Sequence, residues 1–136
     1  MANILKISEA ASMGLHAAMY LAENQDRAVT AREMAEEFKV SEHHLAKVMS
    51  RLVKVGLVKS ERGPAGGFGL NRDGKEISLL EVYEAIDGAI SNHGCLFDQV
   101  VCDGRHCILG GLIGQVNREV RDYLANTKLS DHADRD

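Results

Sequence analysis

The sequence contains no tryptophan, only three phenylalanines and three tyrosines, and a single proline, Pro64. With so few aromatic rings, aliphatic residues and alanine must fill the core, and one proline leaves most of the chain open to helix. No run of eighteen apolar residues occurs, so no membrane-spanning helix is expected. Lys6, Glu9 and His16 interrupt the apolar residues near the N-terminus before a secretory h-region can form. A cytoplasmic, reducing location is therefore expected, which favours thiols or metal-bound thiolates over disulfides. Cysteine is scarce too, and an odd count of three cannot pair off completely.

Those three cysteines are gathered in one place. Cys95, Cys102 and Cys107 are separated by six and then four residues, with His93, His106, Asp98 and Asp103 among them. Thiolates, imidazoles and carboxylates on a short loop are the donor types of a soft metal centre. Free cysteine is often no more than a small buried hydrophobe, but the clustering of every cysteine in about a tenth of the chain argues for a metal or redox site. The spacing matches neither a zinc finger nor a ferredoxin.

Net charge is −4, yet the distribution is uneven. From Lys39 to Arg72 there are seven basic residues and two acids, a local balance of +5 that leaves −9 for the rest. Such asymmetry is the footprint of a nucleic-acid contact on an acidic body.

Along the chain, apolar periodicity predicts a helix over 4–23 with Ser8 and Glu9 near its start. Thr30 and Glu33 form a capping-box pattern for a short helix over 31–38, burying Met34, Ala35 and Phe38. After a tight turn at Lys39-Val40, Ser41 caps a second helix, whose stripe of Leu45, Val48, Met49, Leu52 and Val55 runs to Gly56. Its outer face carries His43, Lys47, Ser50 and Lys54, with His44 and Arg51 beside them. A solvated charged face is the plain explanation of such a stripe. The near absence of acids, with only Glu42 in the first turn, favours a helix-turn-helix instead.

Two extended segments, 57–62 and 70–72, flank the Gly-rich turn Gly63-Pro-Ala-Gly-Gly-Phe-Gly69 and predict a β-hairpin. A phosphate-cradling P-loop is rejected, because no Lys-Ser/Thr and no helix follow the glycines. Behind a helix-turn-helix the hairpin reads as a wing, with Arg62 placed for a minor groove or a phosphate and Gly63, Gly66 and Gly67 at its tip. Ser78 caps a further helix ending near Gly88, and the cysteine loop occupies 89–106. A terminal stripe of Leu109, Leu112, Ile113, Val116, Val120, Tyr123 and Leu124 predicts a helix of about twenty residues that buries itself against a second copy of the chain. The expected fold is thus mainly α. A winged helix-turn-helix domain over 1–76 precedes a unit over 77–129 made of a helix, a cysteine loop and a long dimerisation helix. A polar tail over 130–136 ends the chain.

With these elements in this order, the chain resembles the Rrf-two family of bacterial iron–sulfur transcription regulators. The resemblance rests on Val40-Ser-Glu-His-His-Leu-Ala-Lys-Val-Met-Ser-Arg-Leu52 for the recognition helix, on Arg62-Gly-Pro-Ala-Gly-Gly-Phe68 for the wing, and on Cys95, Cys102 and Cys107. It implies a homodimer that binds a double-stranded operator, Ser41, His43, His44, Lys47, Ser50, Arg51 and the wing tip forming the DNA-binding face. It also implies an iron–sulfur cluster, of two or four irons, held by the three cysteines. IscR-type members draw a fourth ligand from a histidine three residues after the last cysteine, where this chain has Gly110. NsrR-type members use an acidic residue near the N-terminus of the other subunit, and Glu9 stands at the matching position. The His44-Leu-Ala-Lys-Val48 stretch also resembles NsrR-type recognition helices more closely. Glu9 is therefore the expected fourth ligand, with His106 and His93 as local competitors.

The function expected is DNA-binding regulation governed by cluster state, sensing nitric oxide, redox or iron–sulfur status. One alternative keeps the DNA binding but replaces the cluster by a bare thiol or zinc switch. Another, from a different class, is a small iron–sulfur redox protein, which leaves the basic helix and wing unexplained. No nucleophile and base stand in a catalytic pattern, so no enzyme activity is expected.

Overall fold

The computed structural model describes residues 5–90, 94–97, 99 and 107–131. Helix α1 spans Glu9–Glu23, α2 Ala31–Phe38 and α3 Glu42–Lys54. Strands β1, Val58–Glu61, and β2, Gly67–Leu70, form an antiparallel hairpin. Then come α4, Leu79–Asp87, and α5, Leu112–Asn126, followed by a 3-10 turn over Leu129–Asp131. The mainly helical winged fold expected from the sequence is the one observed. Among the described residues no helix is long and apolar enough to cross a membrane.

Local chemistry sets the helix boundaries. Side-chain oxygens of Ser8, Thr30, Ser41 and Ser78 each accept a hydrogen bond from the backbone N–H three residues on, satisfying a donor that the first turn leaves unpaired. Ser78 and Glu81 complete a reciprocal capping box. The cap at Ser8 starts α1 at Glu9, later than the 4–23 helix read from periodicity, and 5–8 precede it as non-helical chain. Lys39 takes a left-handed conformation, φ 58°, to end α2 and turn the chain into α3.

The core is aliphatic. Leu21, Met34, Leu45, Met49, Leu52, Ile77, Val82 and Leu129 are all essentially inaccessible to solvent and belong to one cluster. Burying each such side chain contributes roughly 1.5–3 kcal/mol before entropy is charged against it. At Gly14 the helices approach closely: a Cβ there would stand 3.2 Å from Ile86 and 3.4 Å from Val48. Glycine thus lets α1 seat against both α3 and α4.

Several further elements differ from the sequence reading. Val55, assigned to the buried stripe, is the exposed C-cap of α3. The return strand is Gly67–Leu70, within the glycine-rich stretch rather than after it. Phe68 exchanges two backbone hydrogen bonds with Val29, 2.9 and 2.7 Å, and this bridge draws the glycine segment into the ladder. Helix α5 runs 15 residues from Leu112, because Gly110 and Gly111 adopt left-handed φ and form the turn that launches it. Ser130 and Asp131, expected in the polar tail, belong to the 3-10 turn. That turn is tied back by Leu129 N–H to the Ile77 carbonyl and Ser130 N–H to the Gly74 carbonyl.

Candidate nucleic-acid interface and metal centre

Helix α3 buries Leu45, Val48, Met49 and Leu52 and exposes Ser41, His43, His44, Lys47, Ser50, Arg51 and Lys54. The 3.6-residue period makes this division: apolar positions recur on the side facing α1 and α2, and the cations fall opposite. The exposed side chains share one surface, but their hydrogen bonds differ. Ser41 Oγ accepts from His44 N–H at 3.3 Å, and Ser50 Oγ donates to the Ala46 carbonyl at 3.0 Å. Arg51 Nη1 donates to the Ile86 carbonyl of α4 at 2.8 Å. The rings of His43 and His44 stand 6.1 Å apart, tilted, at the outer end of the helix.

The wing glycines have structural duties of their own. Gly63 and Gly67 have φ of 105° and 148°, which disfavour side chains. A Cβ on Gly66 would run into the Glu61 carbonyl, and one on Gly67 would come within 2.6 Å of the Val29 carbonyl oxygen. They allow the tip to fold tightly enough to present exposed Arg62. Two cations counted in the basic segment are matched by acids: Lys59 pairs with Glu61 at 3.6 Å, and Arg72 pairs with Glu81. Burial opposes ionisation of Glu81, but the Ser78 N–H and Arg72 hold its carboxyl below the usual carboxylate range. Of that segment's cations this leaves Lys39 in the turn before α3, Lys47, Arg51 and Lys54 on α3, and Arg62 at the wing tip, all exposed.

Of the proposed metal ligands, His93, Cys102 and His106 lie outside the described residues, as do Asp98 and Asp103. Cys95 and Cys107 are half-buried residues. The Cys107 carbonyl accepts from Gly110 N–H at 3.0 Å, in the turn before α5. Glu9 is exposed in the first turn of α1. Among the described residues no three His, Cys, Asp or Glu side chains gather closely enough to hold a metal ion. The chemistry of the donor set suits soft iron: thiolates, with an oxygen donor available at Glu9. Glu9 also opens onto a groove of about 380 Å³ between α1 and α3, with Met13 and Val48 as its apolar floor and His44, Lys47 and Arg51 along its far side.

Sequence reasoning missed two polar clusters. At one, Ser8 Oγ donates to Asp87 Oδ1 at 2.7 Å, joining the N-cap of α1 to the last residue of α4. At the other, Glu33 accepts from Arg27 at 2.6 and 2.8 Å and from the Tyr20 hydroxyl at 2.7 Å. Arg27 first, and Tyr20 second, hold the Glu33 carboxyl down at about 2, while the same carboxylate pushes the Tyr20 hydroxyl up. The partners of Ser8 and Arg51 lie 79 and 35 residues away, a separation that carries no local signal.

Residues 7–135 match the Rrf2 family, described as an iron-dependent transcriptional regulator. The chain is a member of the Rrf2 family. This Rrf2 protein is 32% identical over 127 residues to an Aquifex aeolicus protein classed among HTH-type transcriptional regulators, covering 91% of this chain and 88% of that one. It is 30% identical over 108 residues to the HTH-type transcriptional regulator IscR of Xenorhabdus nematophila, covering 79% of this chain and 66% of IscR. Its structure is similar to that of CymR, the global cysteine regulator of B. subtilis, with a TM-score of 0.80 and 29% identity over 96% of this chain and 97% of CymR. The Rrf2 chain is thus a DNA-binding transcriptional regulator and not an enzyme. That also decides between the regulator and the small redox protein.

Proposed function

We propose that this regulator binds its operator as a homodimer and that an iron–sulfur cluster on Cys95, Cys102 and Cys107 sets its DNA affinity, with Glu9 of the second subunit as fourth ligand. In this reading residues 1–76 carry the DNA-reading surface and 77–129 carry the sensor and the dimer contact. Helix α3 enters the major groove with His43, His44 and Lys47 toward bases and phosphates, backed by Ser41 and Ser50, while Arg62 and the wing glycines reach the neighbouring minor groove. Leu112, Val116 and Tyr123 of α5 are 50%, 40% and 58% exposed, an apolar stripe that a second copy of α5 would cover.

The observation that carries the switch is the position of Glu9. It shares one groove with His44, Lys47 and Arg51, so whatever engages the start of α1 also bears on the recognition helix. When bound, the cluster would supply a centre reactive toward nitric oxide and oxidants, with the Glu9 carboxylate as an exchangeable oxygen ligand. The protein's own part would be to hold that centre through Cys95, Cys102, Cys107 and Glu9 and to bias the groove between two arrangements.

A bare thiol or zinc switch is the second reading, favoured by the likeness to a cysteine regulator. Iron and acid-labile sulfide analysis of anaerobically purified protein separates the two. Operator binding by that protein and by a variant with all three cysteines changed to alanine then tests the switch, and equal affinities sink it. Mössbauer spectra that do not change in Glu9→Ala remove Glu9 from the ligand set.

A further inference from the structure

The cysteine loop leaves α4 at its C-terminal end, and two other elements grip that end. The last four carbonyls of a helix have no partner within it. Here the Ile86 carbonyl is taken by Arg51 of α3 at 2.8 Å. One residue on, the Asp87 carboxylate accepts from Ser8, the N-cap of α1, at 2.7 Å. A guanidinium at this point also meets the negative end of the α4 dipole. Ile86 itself is buried, and it lies against the site where Gly14 brings α1 close to α3. The start of α1, the last turns of the recognition helix and the origin of the cysteine loop therefore meet at one corner.

We propose that Arg51 is a positioning residue: through its bond to the Ile86 carbonyl it sets the placement of the recognition helix from the root of the cysteine loop, and it is not a DNA phosphate contact. This rests on the cysteine loop being the sensor. A plain helix-capping role predicts only a loss of stability when Arg51 is removed. A phosphate contact predicts weaker DNA binding with a smaller salt dependence. Positioning predicts weaker binding with the salt dependence unchanged, and a reduced difference between the two states of the sensor. Arg51 has the reach and planar donor geometry for such a bond, which a flexible ammonium only partly reproduces.

The test uses full-length protein, purified anaerobically and either left as isolated or stripped of metal with a chelator. The probe is a synthetic duplex carrying the site that the wild-type protein enriches from sheared host DNA. Affinity is measured across a salt series for wild type, Arg51→Met, Arg51→Lys and Asp87→Asn, with thermal melts confirming that each folds. Arg51→Met is expected to bind roughly tenfold or more weakly, the scale of one charge-assisted hydrogen bond. Its salt slope should match wild type, and its ratio of affinities between the as-isolated and stripped forms should move toward one. Arg51→Lys should recover part of that ratio. Asp87→Asn, which weakens the same corner without touching the recognition helix, should lower it too. A slope that falls by about 0.9, the value of one lost phosphate contact, with the ratio intact, overturns the proposal and leaves the switch standing. Equal affinities of the two wild-type forms remove the switch itself and the coupling with it.

Discussion

Arg51, on the exposed face of α3, donates to the backbone carbonyl of Ile86, 2.8 Å away and 35 residues further along the chain. A residue that composition and helical periodicity assign to DNA thus spends a hydrogen bond inside the protein. Its neighbours on α3 keep their outward role, and the contrast between them can be measured.

Lys47 is exposed one turn before Arg51 and lines the same groove. Lys47→Ala should weaken DNA binding uniformly across sequences and lower the slope of log affinity against log salt by about 0.9. A salt titration by fluorescence anisotropy reads this directly; an unchanged slope would take Lys47 out of the phosphate contacts.

Gly67 combines a φ of 148° with the Val29 carbonyl 2.6 Å from where a Cβ would sit. Gly67→Ala must break the Val29–Phe68 bridge or strain the backbone, at a cost of about 1–3 kcal/mol. We expect a lower thermal midpoint together with loss of minor-groove contacts. Full stability and unaltered footprints at the wing would contradict this account.

Gly14→Val should be worse tolerated than its helical position suggests. Even a Cβ stands 3.2 Å from Ile86, whose side chain is buried and has little room to yield. Overpacking at such a contact costs about 1–3 kcal/mol. Differential scanning calorimetry should show the midpoint falling by several degrees, and because the strain lands on Ile86, DNA affinity should fall with it.

Acid stability should depend on Glu33. Its carboxyl lies at about 2 in the folded protein against an ordinary 4.5, chiefly through Arg27. A depressed folded value means the stabilisation is full above 4.5 and is lost as pH drops from 4.5 toward 2. Both side chains are over a third exposed, 44% and 35% for Arg27 and Glu33, so solvent screening keeps the effect modest. Urea melts of Glu33→Gln should show a flatter dependence on pH across that window than wild type; parallel curves would exclude the linkage.

On α5, Val116→Glu places a charge in the middle of the exposed apolar stripe. If a second copy covers that stripe, sedimentation velocity should show a shift from dimer to monomer with little change in the monomer's helicity. An unchanged sedimentation coefficient would point the stripe elsewhere.

The sequence by itself determined whatever depends on neighbours a few residues apart. Helix starts at Ala31, Glu42 and Leu79 were legible because a cap and its N–H partner lie three positions apart, and the buried and exposed sides of α3 because 3.6 residues make a turn. The wing's existence was legible from its glycines, but not its strand, since Phe68 pairs with Val29, 39 residues earlier in the chain. Clustered thiols with His93, His106, Asp98 and Asp103 among them suggested a metal centre by donor chemistry, whereas Glu9 entered only through the family resemblance. Only the tertiary structure decided that Glu9 shares a groove with α3, that Gly14 is where three helices touch, and that Arg51 turns toward Ile86. Those relationships join residues distant in the chain, and they exist only once burial of the aliphatic core has fixed how α1, α3 and α4 pack.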